Sequence, residues 1–275
     1  MSMDIGSTAT LNNGIEMPLL GLGVYLTPDG KICRQAVTEA LDFGYRHVDT
    51  ARIYENEKSV GKAIHESEIP REEIFVTTKL WNSDHGYDRT IAACKESLDR
   101  LGMDYVDCYL IHWPVEELRS ESWRAMETLH EEGLCRSIGV SNYMIHHLEE
   151  LMGECNVVPA ANQVEFSPFL FQERLLAFCR SQGIMLQAYS PLTKGQRLDD
   201  PLLATIADRH GVTAAQVLIR WALQHDVVVL PKSQDPQRIR ENGSIYGFEL
   251  TEEEMQQLNG LDEGLRTSWD PTHQP

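Results

Sequence analysis

No stretch of about 18 apolar residues occurs in this chain, so nothing in it is built to span a bilayer as a helix. Basic residues are few: 24 Lys and Arg stand against 42 Asp and Glu, a formal net charge of −18. That balance speaks against nucleic acid and anionic membrane surfaces as partners. A small basic pocket for a small anion is still compatible with it. The six cysteines (Cys33, Cys94, Cys108, Cys135, Cys155, Cys179) form no C-x-x-C pair and no zinc-ligand spacing. They read as reduced thiols, with no metal expected. The segment from Met1 to Gly14 has neither a basic start nor an apolar run of leader length, and a cytoplasmic location is expected. Also missing is G-x-G-x-x-G: Gly21-Leu22-Gly23 continues as Val24-Tyr25-Leu26. That disfavours a Rossmann-type dinucleotide site.

What is present is ordinary globular composition, 42% hydrophobic and 24% charged over 275 residues. No linker, repeat or low-complexity segment divides the chain, and residues 1–275 read as a single domain. Asn12-Asn13-Gly14 marks a type I′ turn in an N-terminal β-hairpin over 8–18. Eight short apolar runs then read as buried strands: 19–24, 46–49, 74–80, 105–112, 137–140, 161–164, 185–189 and 227–230. Helical periods follow most of them, over 31–43, 56–66, 88–101, 121–132, 144–152, 172–182, 213–224 and 236–242. Asp200-Pro201 and Asp235-Pro236 have the form of an N-cap with proline at the first helical position. Thr251 to Glu254 is a capping box opening a last helix to about Leu261. The alternation predicts an α/β fold, a (β/α)8 TIM barrel, with an open doubly wound sheet as the alternative. The last 14 residues are too polar and proline-rich to form an element. His146-His147 reads as a solvated helix start.

Barrel enzymes carry their sites at the C-terminal ends of the strands. The polar residues there are Tyr25, Asp49 with Tyr54 five residues on, Lys79, His112, Ser141-Asn142, Gln163 with Glu165, Tyr189-Ser190 and Lys232-Ser233. Each alone has a bland explanation as a cap, a solvated charge or a core histidine. As a set they point to a catalytic mouth.

Seven segments carry a resemblance. They are Asp49 to Glu57 (DTARIYENE), Thr78 to Trp81 (TKLW), Tyr109 to Pro114 (YLIHWP), Gly139 to Asn142 (GVSN), Asn162 to Glu165 (NQVE), Tyr189 to Leu192 (YSPL) and Leu230 to Ser233 (LPKS). In this order they resemble the aldo-keto reductase family, over nearly the whole chain. The likeness is greatest to its short microbial and protozoal members, of the 2,5-diketogluconate reductase, glyoxal reductase and prostaglandin F synthase types. The resemblance implies NADPH-dependent reduction of aldehydes and ketones by a catalytic tetrad of Asp49, Tyr54, Lys79 and His112. The chemistry is consistent with that set. A carbonyl that accepts hydride needs a proton, and a phenol with a reference pKa near 10 is a weak donor at neutral pH. Lowering it to neutrality takes roughly 4 kcal/mol. A cation at about 4 Å supplies approximately that at an effective dielectric near 20. Lys79 is the expected cation and Asp49 its anchor, with His112 orienting the carbonyl oxygen.

By the same resemblance, Tyr189 stacks on the nicotinamide of NADPH or NADP+ while Ser141, Asn142 and Gln163 bond its carboxamide. Ser190 and Leu192 meet the pyrophosphate. Lys232, Ser233 and Arg238 hold the 2′-phosphate, with Glu241 and Asn242 near the adenine. Asp235, between Lys232 and Arg238, either caps a helix or weakens the phosphate site. Tyr25, Trp81 and Trp113, with His112, are expected to line a substrate pocket whose short rim suits small carbonyl compounds. A monomer is expected. Two other readings stand beside the reductase. One is a cofactor-binding redox-sensing module of the same fold. The other is a barrel lyase or aldolase with Lys79 as a Schiff-base amine.

Overall fold

The computed structural model describes residues 3–275. A small hairpin comes first, β1 (Thr8–Thr10) antiparallel to β2 (Glu16–Pro18). Its connection is not the expected two-residue type I′ turn. Gly14 N donates to Leu11 O and Leu11 N to Ile15 O, both at 2.9 Å. Only Gly14, at φ 83°, takes the left-handed region in this loop. The result is a three-residue loop with a glycine bulge. Its asparagines fasten the hairpin to the base of the fold instead: Asn12 Nδ2 donates to Pro159 O and Asn13 Nδ2 to Arg136 O, each at 3.0 Å.

Eight parallel strands follow: β3 (Leu22–Gly23), β4 (His47–Asp49), β5 (Phe75–Leu80), β6 (Val106–Ile111), β7 (Cys135–Ser141), β8 (Ala161–Glu165), β9 (Met185–Tyr189) and β10 (Val228–Leu230). Every residue of β5 and β6 is buried, as a sheet covered on both faces requires. The first strand is shorter than its apolar run suggests, because its flanks serve to close the barrel. Leu20 bridges to Val229 and Gly23 to Lys232, and Gly21 N donates to Val229 O at 2.9 Å. A Cβ at Gly21 would stand 2.7 Å from Leu230 Cδ2 and 2.8 Å from His47 Cγ, so only glycine fits this seam. The barrel is therefore closed, as expected, and the doubly wound alternative falls.

The helices are α1 (Lys31–Phe43), α2 (Glu57–Glu66), α3 (Tyr87–Leu101), α4 (Arg119–Glu131), α5 (Ile145–Glu154), α6 (Glu173–Ser181), α7 (Pro201–His210), α8 (Ala214–Gln224), α9 (Pro236–Gly243) and α10 (Glu252–Asn259). The capping signals are used as written. Asp200 Oδ1 accepts from Leu202 N at 2.8 Å, opening α7, and Thr251 with Glu254 closes a reciprocal box on α10. Glu57, buried at the start of α2, accepts from Thr78 Oγ1 and from Arg100 Nε, both at 2.6 Å. One carboxylate thus ties α2 and α3 to the strand that carries Lys79.

Beyond α10 there is no regular element, in line with the sequence, yet the tail packs. His147 Nε2 meets Gln274 O at 3.1 Å, and Arg119 donates to Pro275 O. His147 is fully buried, not solvated. Its Nδ1 accepts from Met144 N at 3.0 Å, so the proton resides on Nε2, the nitrogen that faces the tail.

Candidate active site

The parallel strands deliver polar residues at their C-terminal ends to one end of the barrel. Asp49 ends β4, Lys79 lies one residue from the end of β5, and His112 follows β6 directly. Tyr54 closes a single 3₁₀ turn (Arg52–Tyr54) just beyond β4, and Glu55 ends that turn at φ 56°. Asn56 locks the turn in place. It is buried, accepts from Thr50 Oγ1 at 2.7 Å, and donates to Val24 O at 2.9 Å and Thr27 O at 3.0 Å. Those bonds bring the Tyr25 loop against the Tyr54 turn, with ring centroids 5.0 Å apart. Asn56 lies within the Asp49 to Glu57 segment but carries no chemistry of its own, so no residue-type signal marks it.

The four expected catalytic side chains converge. Lys79, with no exposed surface, donates from Nζ to Asp49 Oδ1 at 2.6 Å, to Thr50 O at 2.9 Å and to the Tyr54 hydroxyl at 3.4 Å. The Tyr54 ring stands edge-on to His112 at 5.7 Å. Asp49 is held from its other side, where Oδ2 accepts from Gln163 Nε2 at 2.8 Å. Gln163 Nε2 also donates to Gln187 Oε1 at 2.9 Å. Gln187, fully buried on β9, is a second support that apolar patterning did not single out.

The electrostatics correct one expectation. Burial, and then the Asp49 charge, push the Tyr54 phenol well above its ordinary value rather than toward neutrality. The Lys79 charge is matched by Asp49 at 2.6 Å, and the phenol lies farther off at 3.4 Å. Burial also lowers the Lys79 ammonium, opposed by Asp49. Burial, helped by Lys79, drives His112 well below the usual histidine value. The site therefore presents a protonated phenol, an ion pair and a neutral imidazole. The Nδ1 atom of His112 is sealed without a partner, so Nε2 is the nitrogen a ligand reaches.

The expected cofactor residues lie along the ends of β7 to β10. Asn142, at φ 64°, has both amide hydrogens engaged, by His112 O at 2.9 Å and Ser141 Oγ at 3.1 Å. Its Oδ1 accepts from the Tyr189 hydroxyl at 2.8 Å. Ser141 Oγ donates to Gln163 O at 2.8 Å. Ser141, Asn142, Gln163 and Tyr189 thus form one braced group. Ser190, Thr193 and Lys194 all have positive φ, in a tight loop around half-buried Leu192. Asp235 is a helix cap: its Oδ1 accepts from Arg238 N at 3.0 Å. Its carboxylate is thereby engaged, while Lys232 and Arg238 are exposed and form no ion pair among the described residues. Ser233 is buried and bonds Asp235 N at 3.1 Å; Asn242 is buried; Glu241 accepts from Thr213 Oγ1 at 2.9 Å.

Of the residues expected to line a substrate pocket, Trp81 stands 5.3 Å edge-on to His112. Trp113 and Trp81 both meet a residue the sequence reading left out. Trp269, in the tail, has its ring 5.7 Å from Trp113 and 6.2 Å from Trp81. The rim is therefore less bare than the short loops suggested. Nothing local in the sequence marks Trp269, whose neighbours are more than 150 positions away.

The chain is similar to known proteins over nearly its whole length. The family model described as "Aldo/keto reductase family" matches residues 29–263. An uncharacterised oxidoreductase of Bacillus subtilis, YtbE, is 49% identical, covering 98% of each chain. A glyoxal reductase of the same organism is 47% identical, again over 98% of each. Among solved structures, a deep-sea metagenome aldo-keto reductase superposes with a TM-score of 0.94 at 44% identity, over 97% of this chain and 99% of that one. A Bombyx mori aldo-keto reductase in complex with NADP gives 0.90 at 36% identity, over 96% and 95%. This chain belongs to the aldo/keto reductase family.

Proposed function

We propose that the protein reduces small aldehydes and ketones to alcohols with NADPH, using Tyr54 as proton donor. The observation that carries this reading is the Asp49–Lys79–Tyr54 contact chain with neutral His112 beside it. The nicotinamide cofactor, when bound, supplies the hydride. Tyr54 supplies the proton, and its raised pKa keeps that proton in place until negative charge develops on the substrate oxygen. The phenolate left behind finds Lys79 Nζ at 3.4 Å. Asp49 holds that ammonium charged in a setting where burial alone would discharge it. His112, neutral, offers an N–H toward the carbonyl oxygen, stabilising it as charge grows.

The donor set fits an NADP-type cofactor. Lys232 and Arg238, free of carboxylates beside the N-terminus of α9, suit a 2′-phosphate. The Asp235 carboxylate is spent on the cap. Ser190, Leu192 and Ser233 belong to the same strip, with Glu241 and Asn242 beyond it on α9. The brace of Ser141, Asn142 and Gln163 presents its remaining acceptors beside Tyr189, suited to a carboxamide and a flat ring. The residue arrangement also favours turnover over a purely sensing module, because a sensor has no use for a buried lysine aimed at a phenol.

The direct test is NADPH absorbance with purified protein and methylglyoxal, repeated with NADH. Steady consumption, faster with NADPH, is expected. Binding of NADPH without consumption of any small aldehyde would overturn the reductase reading.

A further inference from the structure

Gln187 puts an amide into a barrel interior where branched apolar side chains are the rule. It has no exposed surface, and Gln163 stands opposite it in the β8–β9 register. Filling that space needs no polar group, and a buried amide is costly unless both its ends are bonded. Both ends are. Gln163 Nε2 donates to Gln187 Oε1 at 2.9 Å, and Gln187 Nε2 donates to Met17 Sδ, on β2 of the hairpin, at 3.4 Å. A thioether can only accept. The amino side of Gln187 therefore faces Met17, and its oxygen is left for Gln163.

The Gln163 amide is held by two acceptors at once. One of its hydrogens goes to Asp49 Oδ2 at 2.8 Å and the other to Gln187 Oε1. A bond to Asp49 alone would let the amide pivot about a single contact. The second acceptor fixes its plane, and with it the direction of Gln163 Oε1. That oxygen meets no donor among the described residues and is not sealed, so it is the atom of the amide left for a ligand. An acceptor fixed in direction and lying in a buried setting separates a ligand that brings an N–H from one that does not, because without the N–H the oxygen stays unpaired.

Resting on the cofactor reading above, we propose that Gln187 is a positioning residue for cofactor recognition. By holding the Gln163 amide in one plane, it makes Gln163 Oε1 a selective acceptor for the amino group of the nicotinamide carboxamide. Gln187 has no exposed surface, so it acts only through Gln163. Met17 stands behind it and sets which way round its own amide lies.

The test is calorimetric titration with NADP+ and with its 3-acetylpyridine analogue, in which a methyl group replaces the amino group of the carboxamide. The wild type is expected to bind NADP+ roughly tenfold more tightly than the analogue. Gln187→Leu is expected to shrink that ratio to about twofold, by weakening NADP+ while leaving the analogue nearly unchanged. Gln187→Glu, titrated at about pH 6.5, is expected to restore most of the ratio. Its carboxyl group is buried near Asp49 and so takes up a proton, which leaves an acceptor for Gln163 and a donor for Met17. An unchanged ratio in Gln187→Leu overturns the proposal, and so does an equal weakening of both ligands, which is what a merely structural role gives. Gln187→Glu behaving like Gln187→Leu, or equal binding of the two ligands by the wild type, also overturns it. If Gln187→Leu does not fold, Gln187→Met, unbranched and of similar length, decides by the same ratio. Failure of the wild type to bind NADP+ at all refutes the underlying cofactor reading instead.

Discussion

Replacing Asp49 by Asn removes the counter-charge of a lysine that has no exposed surface. At the 2.6 Å separation of this pair, the direct attraction is about 6 kcal/mol at an effective dielectric of 20. The full amount is not lost, because the amine has an escape. It can shed its proton, which at pH 7 costs about 1.36 kcal/mol for each pH unit below its reference pKa near 10.4, or roughly 4.6 kcal/mol. Asp49→Asn is thus expected to destabilise by about 3–5 kcal/mol, in the range for breaking a buried pair. For a chain of this size that is a fall in melting temperature of roughly 10 °C. The hydrogen bond to Gln163 adds little to the loss when the new Asn turns its oxygen to Gln163 Nε2, which leaves the Gln163 bond to Gln187 Oε1 in place. Two signatures separate this account from a generic core defect. The destabilisation shrinks by up to about 1.4 kcal/mol per pH unit between pH 7 and 9, as deprotonation of Lys79 becomes easier. The double variant Asp49→Asn with Lys79→Met carries no buried charge, so it is expected to regain most of the stability while still reducing nothing. Thermal melts at several pH values, with NADPH consumption on the same samples, provide both readouts. A double variant as unstable as the sum of the singles, or a loss independent of pH, would refute the reasoning.

Tyr54→Phe removes only the proton donor, so NADPH binding measured by fluorescence should persist while reduction falls by at least about a hundredfold; full activity would sink the tetrad assignment. Lys232→Ala should raise the NADPH dissociation constant far more than that of NADH, and equal losses would remove Lys232 from the 2′-phosphate site. The pH profile of reduction between about pH 6.5 and 9 should be flat, because the Tyr54 phenol is raised and stays protonated while the His112 imidazole is lowered and stays neutral; a steep alkaline fall near pH 7 would show a phenol brought down instead. Acid stability follows from His47, His85 and His147, each lowered to about 4 by burial. A depressed histidine is neutral in the fold but takes up a proton when unfolded below pH 6.5, so stability is present above that value and lost as pH falls. At pH 5 each contributes a loss of about 2 kcal/mol, and a denaturation midpoint unchanged from pH 7 to 5 would contradict it.

What the sequence could tell and what it could not divide along contact range. The closed barrel was legible because strand runs and helix caps are local: Asp200, Asp235 and Thr251 act on backbone groups within three residues. The convergence of Asp49, Lys79 and His112 was legible because a parallel barrel converts positions at strand ends into neighbours, so these residues need only end their strands to meet. The turn at Asn13-Gly14 was misread although it is local. The asparagine side chains there are recruited by Pro159 and Arg136 across the base of the barrel, and that recruitment accompanies the longer loop. The Tyr54 phenol was misread in direction for a related reason. Counting charges names Lys79 as the nearest cation, but burial raises the phenol first and the Asp49 charge adds to it, and burial of a hydroxyl is not written in a list of charges. Trp269 and His147 were out of reach altogether. Their settings are made by Glu165 and the tail, 102 positions apart, and by His147 and Gln274, 127 apart. A polar, proline-rich tail has no periodicity to betray such contacts, because its order comes from the partners that hold it. The same logic explains why the cluster of Asp49, Lys79 and His112 is open to reading while the Trp269 setting is not: the first is fixed by strand ends, the second by a segment that only the finished barrel can position.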